Sequence, residues 1–304
     1  MDIVTDIGLM HRTAQAVCQD GKRIGLVPTM GYLHQGHLSL VRKARELSQV
    51  VVVSLFVNPT QFGPQEDYET YPRDLPRDIG LLEETGCDIL FQPTAEQMYP
   101  SGHSTVVEVQ GLTEALCGAS RPGHFRGVTT VVTILFDIIR PHLAVFGQKD
   151  AQQAIVIRRM VADLHQDIEI VVAPTIREAD GLAMSSRNEY LAPRERQEAP
   201  VLYRALQWAR TMVEAGQRCA DVLIEGMREL IESETSGRID YVAAVDTARL
   251  QPVEELSGEV LIALAVKFGR ARLIDNIILS IGSDEAAGAP DAPASADKPL
   301  PGAR

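Results

Sequence analysis

The sequence predicts an α/β protein in which a doubly wound parallel sheet is followed by a second, smaller α+β domain. In the first half of the 304 residues, short apolar runs alternate with amphipathic runs, as in successive βαβ units. Val50–Val57 is apolar at odd and even positions alike, which is typical of a strand covered by helices on both faces. After Asn188 the alternation gives way to two long helical patterns and then three strand patterns.

In the first part of the chain, strands are predicted from short apolar runs, and helices from apolar residues recurring every 3.6 positions. The predicted strands are Ile24–Pro28, Val50–Val57, Cys87–Phe91, His142–Phe146 and Ile168–Ala173. The predicted helices are Gly36–Ser48, Arg73–Thr85, Val128–Ile139 and Ala151–Leu164. Thr105–Val109 is predicted as an edge strand or hairpin arm. Because ligands of such sheets gather at the carboxyl ends of the strands, residues that follow those ends are candidates for a site.

The second part of the chain has a different pattern. Helices are predicted at Pro193–Ala215 and Ala220–Glu232, and strands at Asp240–Val245, Val260–Phe268 and Ala271–Leu279. From residue 283 onward the chain is rich in Ala, Pro, Gly and Asp, a composition that cannot bury a core and predicts disorder. The predicted organisation is a first domain at 1–188, a second at 189–282 and a tail at 283–304.

Composition limits the classes of function. A net charge of −12 argues against binding nucleic acid or an anionic membrane, since both require a basic surface. The four cysteines are scattered without metal-ligand spacing, so we expect reduced thiols and no zinc site. No apolar run reaches the roughly 18 residues of a membrane span, and the first residues lack the features of a signal peptide. We therefore expect a cytoplasmic protein.

The segment from Pro28 to His37, PTMGYLHQGH, joins the first predicted strand to the first predicted helix. Its glycines permit close approach of the backbone to a ligand, and the free N–H groups at the start of a helix favour an anion. His34 and His37 are three residues apart, so both can face that anion. The segment predicts a nucleotide-phosphate site; the alternative is a pair of polar loop histidines.

Two later segments also follow predicted strands. In NPTQ, Asn58 and Gln61 are neutral amides suited to hydroxyl and carboxylate groups, and an ordinary Asn-Pro turn is the alternative. In FGQKD, Gly147 permits close approach, and Lys149 offers a charge for phosphate. Asp150 offers an acceptor for ribose hydroxyls. The alternative for this segment is that Asp150 only caps a helix and Lys149 is a solvated side chain.

The segment from Met184 to Arg187, MSSR, follows the last predicted strand of the first domain. Two hydroxyls beside a guanidinium form a compact clamp for an oxyanion, and the small residues around them suit a loop that moves over a nucleotide. A solvated loop with an ordinary arginine is the alternative. The segment containing His124, Arg126 and Gly127 is interpreted as a loop that enters the following helix.

Taken in order, these segments resemble the pantoate–β-alanine ligase family over about residues 1–280. The motifs are long and in the family's order, so the resemblance is more specific than one to the wider HxGH nucleotidyltransferase superfamily. It implies a Rossmann-like first domain, a smaller C-terminal domain and a homodimer. It also implies a two-step reaction. The carboxylate of pantoate attacks the α-phosphate of Mg-ATP, giving pantoyl adenylate and pyrophosphate, and β-alanine then attacks the acyl carbon and releases AMP.

The resemblance implies a role for individual residues. His37 would be the catalytic histidine and His34 its partner on the phosphates, with Lys149 and Arg187 as further catalytic groups. Gln61 and Gln153 would hold pantoate, with Gln61 also near β-alanine. The ATP site would comprise Met30, Gly31, Tyr32, Leu33, His34, Gln35, Gly36, His37, Gly147, Gln148, Lys149, Asp150, Ile176, Met184, Ser185, Ser186 and Arg187.

The chemistry of the residues agrees with these roles. Attack of a carboxylate on a phosphate brings two anions together, so the histidines, Lys149 and Arg187 are expected to position and neutralise charge. No general base is required, because the attacking carboxylate is already ionised at neutral pH. The sequence shows no carboxylate cluster, so magnesium is expected to arrive with ATP, held mainly by phosphates and water.

Two other functions remain open at this point. One is a different HxGH enzyme that transfers AMP to a phosphate acceptor, which would need further cations in place of the neutral Gln61 and Gln153. The other is a non-catalytic nucleotide-binding protein on the same fold, since a fold alone does not fix function. Release of pyrophosphate from ATP that depends on pantoate would separate the three.

Overall fold

The computed structural model describes residues 1–64 and 66–282, and the predicted tail at 283–304 lies outside the described residues. The strands are β1 Asp2–Val4, β2 Ile24–Thr29, β3 Val50–Leu55, β4 Ile89–Phe91, β5 Leu143–Gly147, β6 Glu169–Ala173, β7 Arg238–Asp246, β8 Gly258–Phe268 and β9 Ala271–Ile281. The helices are α1 Ile7–Gln19, α2 Gln35–Leu47, α3 Leu75–Thr85, α4 Ala95–Met98, α5 Cys117–Ser120, α6 His124–Ile139, α7 Ala151–Asp163, α8 Pro193–Glu198, α9 Val201–Glu214 and α10 Ala220–Glu234. Short 3-10 turns occur at Pro59–Gln61, Gln148–Asp150 and Ser186–Tyr190.

The first six strands form one sheet in the order β1-β4-β3-β2-β5-β6. All of its pairings are parallel. The first strand, β1, lies at one edge of the sheet beside β4. The chain then enters the centre with β2, extends through β3 and β4 toward β1, and continues with β5 and β6 on the other side of β2. Ligands of such sheets bind where this direction reverses, at the carboxyl ends of the strands. Here that place lies between β2 and β5.

Helices cover both faces of this sheet, as the sequence predicts. Leu26 and Val52 are fully buried in a core formed with α1, α6 and α7. Their neighbours Val27 and Val53 are fully buried in a second core formed with α2 and α3. Because successive side chains of a strand point to opposite faces, these two cores account for the continuous apolar runs of the central strands.

The last three strands form an antiparallel sheet in which β8 lies between β7 and β9. Leu261 and Ala263 of β8 extend the core that contains α6 and α7. Val260 and Ile262 of the same strand pack with α9 and α10 in a separate core. One face of the smaller sheet therefore packs on α9 and α10, and its other face packs in the core that contains α6 and α7. No helix of the described part of the chain is long and apolar enough to cross a membrane.

The predicted strand at Thr105–Val109 is wrong, because residues 103–109 form no regular secondary structure. The backbone of Val107 bonds instead to hydroxyl groups of α6. Its N–H donates to Thr130 Oγ1 at 3.0 Å, and its carbonyl accepts from Thr129 Oγ1 at 2.6 Å. These side-chain bonds satisfy the backbone groups that a sheet would otherwise have used.

Further elements also differ from the sequence prediction. The apolar helix begins at His124 rather than at residue 128, so His124 and Gly127 lie in its first turn and not in an entry loop. The helix predicted at Pro193–Ala215 is two helices, broken at Pro200, which lacks an N–H and whose ring clashes with a preceding carbonyl. Sequence analysis also did not predict β1 or α1.

Candidate active site

Most of the predicted site residues line one cavity of about 220 Å³ at the carboxyl ends of the central strands. We call it the main cavity. The predicted residues in its wall are Met30, His34, Gly36, His37, Gln61, Gly147, Lys149, Asp150, Gln153, Ile176, Met184, Ser185, Ser186 and Arg187. Five residues predicted for the ATP site are not in this wall: Gly31, Tyr32, Leu33, Gln35 and Gln148. Segments that are distant in sequence thus converge on a single space.

The two histidines are fixed by backbone hydrogen bonds at the start of α2. His34 caps the helix, and its Nδ1 accepts from the Gly36 N–H at 3.1 Å. His37 Nδ1 accepts from the His34 N–H at 3.3 Å, and the two ring centroids are 4.1 Å apart. A backbone N–H is always the donor, so each neutral ring carries its proton on Nε2.

Burial keeps both rings uncharged. It lowers the pKa of His34 to about 4, and the charge of Lys149 adds to this effect. Burial, together with His34 and Lys149, also holds the pKa of His37 well below its usual value. At neutral pH the two rings therefore offer Nε2–H hydrogen bonds rather than the positive charge expected from the sequence.

A buried carboxylate fixes the turn that precedes these histidines. Asp78 of α3 is 1% exposed, and its two oxygens accept from the N–H groups of Tyr32 and Leu33, both at 2.7 Å. Gly31 has a φ of +84°, and a Cβ there would lie 3.0 Å from the side chain of Leu55. These contacts explain why Gly31, Tyr32 and Leu33 shape the turn without lining the cavity. Sequence analysis missed Asp78, since an acidic residue in the first turn of a helix is common.

Gln61 lies in the turn that follows β3, where Asn58 holds its side chain. Asn58 is 1% exposed, and its amide nitrogen donates to Gln61 Oε1 at 3.0 Å and to the Gly127 carbonyl at 3.1 Å. Its oxygen accepts from the hydroxyls of Tyr99 and Thr60, at 2.7 and 2.9 Å. Both Asn58 donors are thus engaged within the protein. Because Gln61 Oε1 accepts, its Nε2 is the donor of this side chain; one N–H points to Met30 Sδ at 3.2 Å, and the other is left for a ligand.

The first turn of α6 supports the backbone of Gln61. A Cβ at Gly127 would lie 2.4 Å from the Thr60 carbonyl oxygen and 2.6 Å from the Gln61 nitrogen, so a side chain cannot fit there. His124 Nδ1 lies 2.9 Å from the Gln61 carbonyl, which it can reach only as a donor, and its Nε2 accepts from Arg121 at 3.0 Å. Burial and the charge of Arg121 lower the pKa of His124 to about 4. Arg121 and His124 line the main cavity and were not predicted as site residues.

The segment after β5 is held by a residue of the second sheet. Asn276 of β9 is 5% exposed, and its amide nitrogen donates to the carbonyls of Gln148 and Lys149 at 3.0 and 2.9 Å. Its oxygen accepts from Gln148 Nε2 at 2.9 Å. Gln148 is therefore turned toward β9, whereas Lys149 and Asp150 line the cavity. No sequence motif marked Asn276, because it belongs to an ordinary strand pattern far along the chain.

The neighbouring residue on β9 holds the other predicted nucleotide segment. Asp275 is 3% exposed and forms a two-point ion pair with Arg177, with N–O distances of 2.6 and 3.0 Å. Arg177 also donates to the Gly181 carbonyl and lies over the ring of Tyr203, 3.9 Å from its centroid. Two adjacent residues of β9 thus connect the second sheet to both segments.

Arg187 reaches the main cavity but is bound to a carboxylate. Its Nε and Nη2 donate to the two oxygens of Asp67 at 3.1 and 3.0 Å. The guanidinium lies 5.9 Å from the ring centroid of Tyr71, whose hydroxyl is 3.3 Å from Ser186 Oγ. Lys149, by contrast, forms no ion pair with any residue in the described ranges 1–64 and 66–282.

Of the two adjacent glutamines on α7, one supports the fold and the other lines the cavity. Gln152 is buried and donates to the carbonyls of Leu112 and Ala115, while its oxygen accepts from the Cys117 N–H. Gln153 lines the main cavity, as predicted. The cavity thus combines neutral amides with Lys149 and the two histidines.

Known proteins resemble this chain over most of its length. Residues 2–278 match the family model described as pantoate-beta-alanine ligase. The chain belongs to this family. The pantothenate synthetase of Moorella thermoacetica is 55% identical over 281 residues, covering 92% of this chain and 99% of that protein. The pantothenate synthetase of Heliobacterium modesticaldum is 56% identical over 281 residues, covering 92% and 100%.

Solved structures of the pantoate–β-alanine ligase family have the same fold. A pantothenate synthetase structure from Thermus thermophilus is 48% identical and has a TM-score of 0.87, covering 91% of this chain and 99% of that one. A ligase structure from Francisella tularensis, complexed with β,γ-ATP and β-alanine, is 35% identical with a TM-score of 0.75. It covers 91% of this chain and 97% of that one.

Proposed function

We propose that this chain joins pantoate to β-alanine in an ATP-dependent reaction, through a pantoyl-adenylate intermediate. The observation that carries the proposal is the convergence of all four predicted motifs on one cavity, in a chain that belongs to the pantoate–β-alanine ligase family. The first step forms a bond between a carboxylate oxygen of pantoate and the α-phosphorus of ATP, and pyrophosphate leaves. In the second step the amine of β-alanine attacks the acyl carbon, and AMP leaves with the bonding electron pair.

In the first step, the protein has to position two anions and stabilise the charge that develops on the phosphate. His34 and His37 would do so as neutral donors from Nε2, at the start of a helix whose N–H groups also favour an anion. Lys149 supplies a full positive charge on a flexible stem. Buried donors that are already in place require no reorganisation as the reaction proceeds.

Arg187 would contribute differently from Lys149, because Asp67 already balances its charge. A phosphate oxygen can replace one carboxylate oxygen of Asp67 on the planar guanidinium, which keeps a two-point geometry. We propose that ATP binding redistributes Arg187 between Asp67 and the departing phosphates. Ser185 and Ser186 would donate hydroxyl hydrogen bonds beside it.

Pantoate recognition is assigned to Gln61 and Gln153. Both line the main cavity, and amides bind carboxylate and hydroxyl groups without adding a charge. Asn58 holds the Gln61 oxygen, so Gln61 presents its Nε2 as a donor to the carboxylate or to a hydroxyl of pantoate. Neutral amides at this point favour a carboxylate substrate over a phosphate acceptor, which would require further cations.

Magnesium is proposed to enter as the ATP complex. Asp150 is a carboxylate in the wall of the main cavity whose side chain makes no capping bond to α7. A single carboxylate suits a cation that keeps most of its water and takes its remaining ligands from phosphates. Bound there, the cation would neutralise phosphate charge. The protein is further proposed to be a cytoplasmic homodimer, with its first domain ending near residue 188.

The proposal is tested by measuring the two half-reactions separately. Pyrophosphate release from ATP should depend on pantoate, and pantothenate should form from supplied pantoyl adenylate and β-alanine without ATP. Lys149→Ala should impair the first half-reaction much more than the second, because no pyrophosphate remains to be held in the second. Lys43→Ala, which removes an exposed lysine paired with Glu46 on α2, is the matched control and should change neither.

Two results would contradict the assignment. Pyrophosphate release that is independent of pantoate would exclude adenylation of pantoate as the first step. Equal losses in both half-reactions of Lys149→Ala would mean that this lysine does not act chiefly on the phosphates that leave.

A further inference from the structure

A second cavity of about 470 Å³ adjoins the main cavity on the side of the antiparallel sheet. We call it the side chamber. Its wall shares Lys149, Asp150 and Arg187 with the main cavity, so the two spaces meet at the predicted phosphate-binding groups. The turn between β8 and β9 and its flanking residues add Lys267 and Arg270 to the wall.

The side chamber holds an excess of cations that no carboxylate of the described chain balances. Its other lining arginines are each paired with a carboxylate: Arg121 with Glu66, Arg187 with Asp67 and Arg272 with Asp240. Among residues 1–64 and 66–282, no ion pair involves Lys149, Lys267 or Arg270. The wall has one carboxylate that is likewise unpaired in those ranges, Asp150. In a chain with a net charge of −12, three such cations around one space favour an anion there.

The adenylation step places a polyanion next to this chamber. Pyrophosphate would be released beside Lys149 and Arg187, and it must leave before it can reverse the reaction. On another side, the main cavity is closed by the apolar side chains Val128, Val131 and Leu135 of α6. A polyanion that passes along an apolar wall loses water contacts, and nothing in the wall replaces them. In the side chamber, cationic side chains can replace those water contacts.

We propose that the side chamber is a pyrophosphate subsite, in which Lys267 and Arg270 receive the pyrophosphate that leaves Lys149. The inference rests on the proposed function, which supplies the pyrophosphate. The guanidinium of Arg270 lies 4.9 Å from the ring centroid of Tyr190, which holds it at the wall with its N–H groups available. Arg270 can bind two oxygens of one phosphate at once, and Lys267 acts as a point charge.

The test is the double variant Lys267→Ala/Arg270→Ala in the full chain, with pyrophosphate as the probe. Inhibition of the overall initial rate by pyrophosphate should weaken about tenfold. The rate of pantoyl-adenylate formation in a single turnover should stay within about twofold of the unchanged protein, because neither residue contacts the reacting atoms. Titration calorimetry should show weaker pyrophosphate binding by a similar factor, and weaker discrimination against orthophosphate.

The matched control is Arg238→Ala. Arg238 is an exposed arginine on β7, opposite Lys267 in the strand register, and it is not in the wall of the side chamber. It should leave pyrophosphate inhibition unchanged, which separates a subsite from a general effect of surface charge. Circular dichroism should show both proteins folded.

Three results would overturn the inference. Unchanged pyrophosphate inhibition in the double variant would exclude the subsite. Equal weakening of pyrophosphate inhibition in Arg238→Ala would mean that the effect is long-range electrostatics and not binding at a subsite. An equal loss of single-turnover adenylation would place these residues in the ATP site itself. If the unchanged protein forms no pantoyl adenylate from ATP and pantoate, the proposed function fails instead, and calorimetry with pyrophosphate still reports on the chamber.

Discussion

Replacing Asn276 with aspartate should weaken ATP binding, although this residue lies on β9 of the second sheet. The change keeps the shape of the side chain but exchanges its two-donor nitrogen for an acceptor. That nitrogen donates to the Gln148 and Lys149 carbonyls at 3.0 and 2.9 Å, and the residue is 5% exposed. Each lost hydrogen bond costs about 1 kcal/mol, and a buried carboxylate facing two carbonyl oxygens adds a desolvation cost. We expect a stability loss on the order of 3 kcal/mol.

The functional effect should be selective for the nucleotide. The lost contacts fix the backbone of Lys149, so a loosened turn no longer aims its ammonium at the phosphates. If the misplacement costs about 1.4 kcal/mol of binding, the KM for ATP rises about tenfold. The KM for pantoate should change less than twofold, since Gln61 and Gln153 are held by other contacts. Steady-state kinetics with each substrate varied in turn measures both quantities.

A matched variant separates positioning from loss of stability. Ile277 is the next residue on β9, is 5% exposed and packs in the core with α9 and α10. Ile277→Ala should cost about 2–5 kcal/mol of stability, yet leave the KM for ATP unchanged. If both variants raise that KM equally, or if Asn276→Asp raises neither KM, then Asn276 only stabilises the fold and the reasoning is refuted.

Three other variants or conditions give further predictions. His37→Ala should lose most adenylation, a cost on the order of 3 kcal/mol for one transition-state donor, and near-normal pyrophosphate release would contradict this. Gln153→Ala should weaken pantoate binding far more than ATP binding in calorimetry, and the opposite order would reassign the residue. The free energy of unfolding in urea should fall between pH 6.5 and 4.5. His34 and His124 take up protons only near pH 4 when folded but near 6.5 when unfolded, a difference worth on the order of 2 kcal/mol each at pH 5. His165→Asn, which replaces an exposed histidine, is the control and should leave this pH dependence of the free energy of unfolding unchanged. A free energy of unfolding that stays constant over this range would mean that the rings of His34 and His124 are not buried and neutral.

Sequence patterns predicted the doubly wound sheet well, because its signal is local and strong. Val50–Val57 is apolar at odd and even positions because β3 has a hydrophobic core on each of its two faces. Sequence patterns failed where side chains distant in sequence determine the local backbone structure. Thr105–Val109 has the composition of a strand, but the hydroxyls of Thr129 and Thr130 take its backbone bonds. No local rule contains that information.

In the candidate site, too, residues with a local sequence signal were predicted, and residues that act from a distant element were not. The motif residues were predicted because glycine, histidine, lysine and arginine at strand ends have recognisable chemistry. Asp78 and Asn276 were missed, since each acts on a motif from a remote element and looks ordinary in its own segment. The pairing of Arg187 with Asp67 was also unpredictable, because only the fold brings the two together. The roles assigned to individual site residues, and the boundary near residue 188, stay predictions.

Gly127 sets a limit on redesign of the substrate pocket. The backbone of α6 approaches the turn at Gln61 so closely that a Cβ would lie 2.4 Å from the Thr60 carbonyl oxygen. The reach of Gln61 into the cavity is therefore fixed by two backbones in contact, with no side chain between them that could be exchanged. Widening the pocket for a bulkier acid by substitutions in its lining would leave this distance as it is. A saturation library at position 127 should yield active protein with glycine alone, although residue 127 is not in the wall of the main cavity.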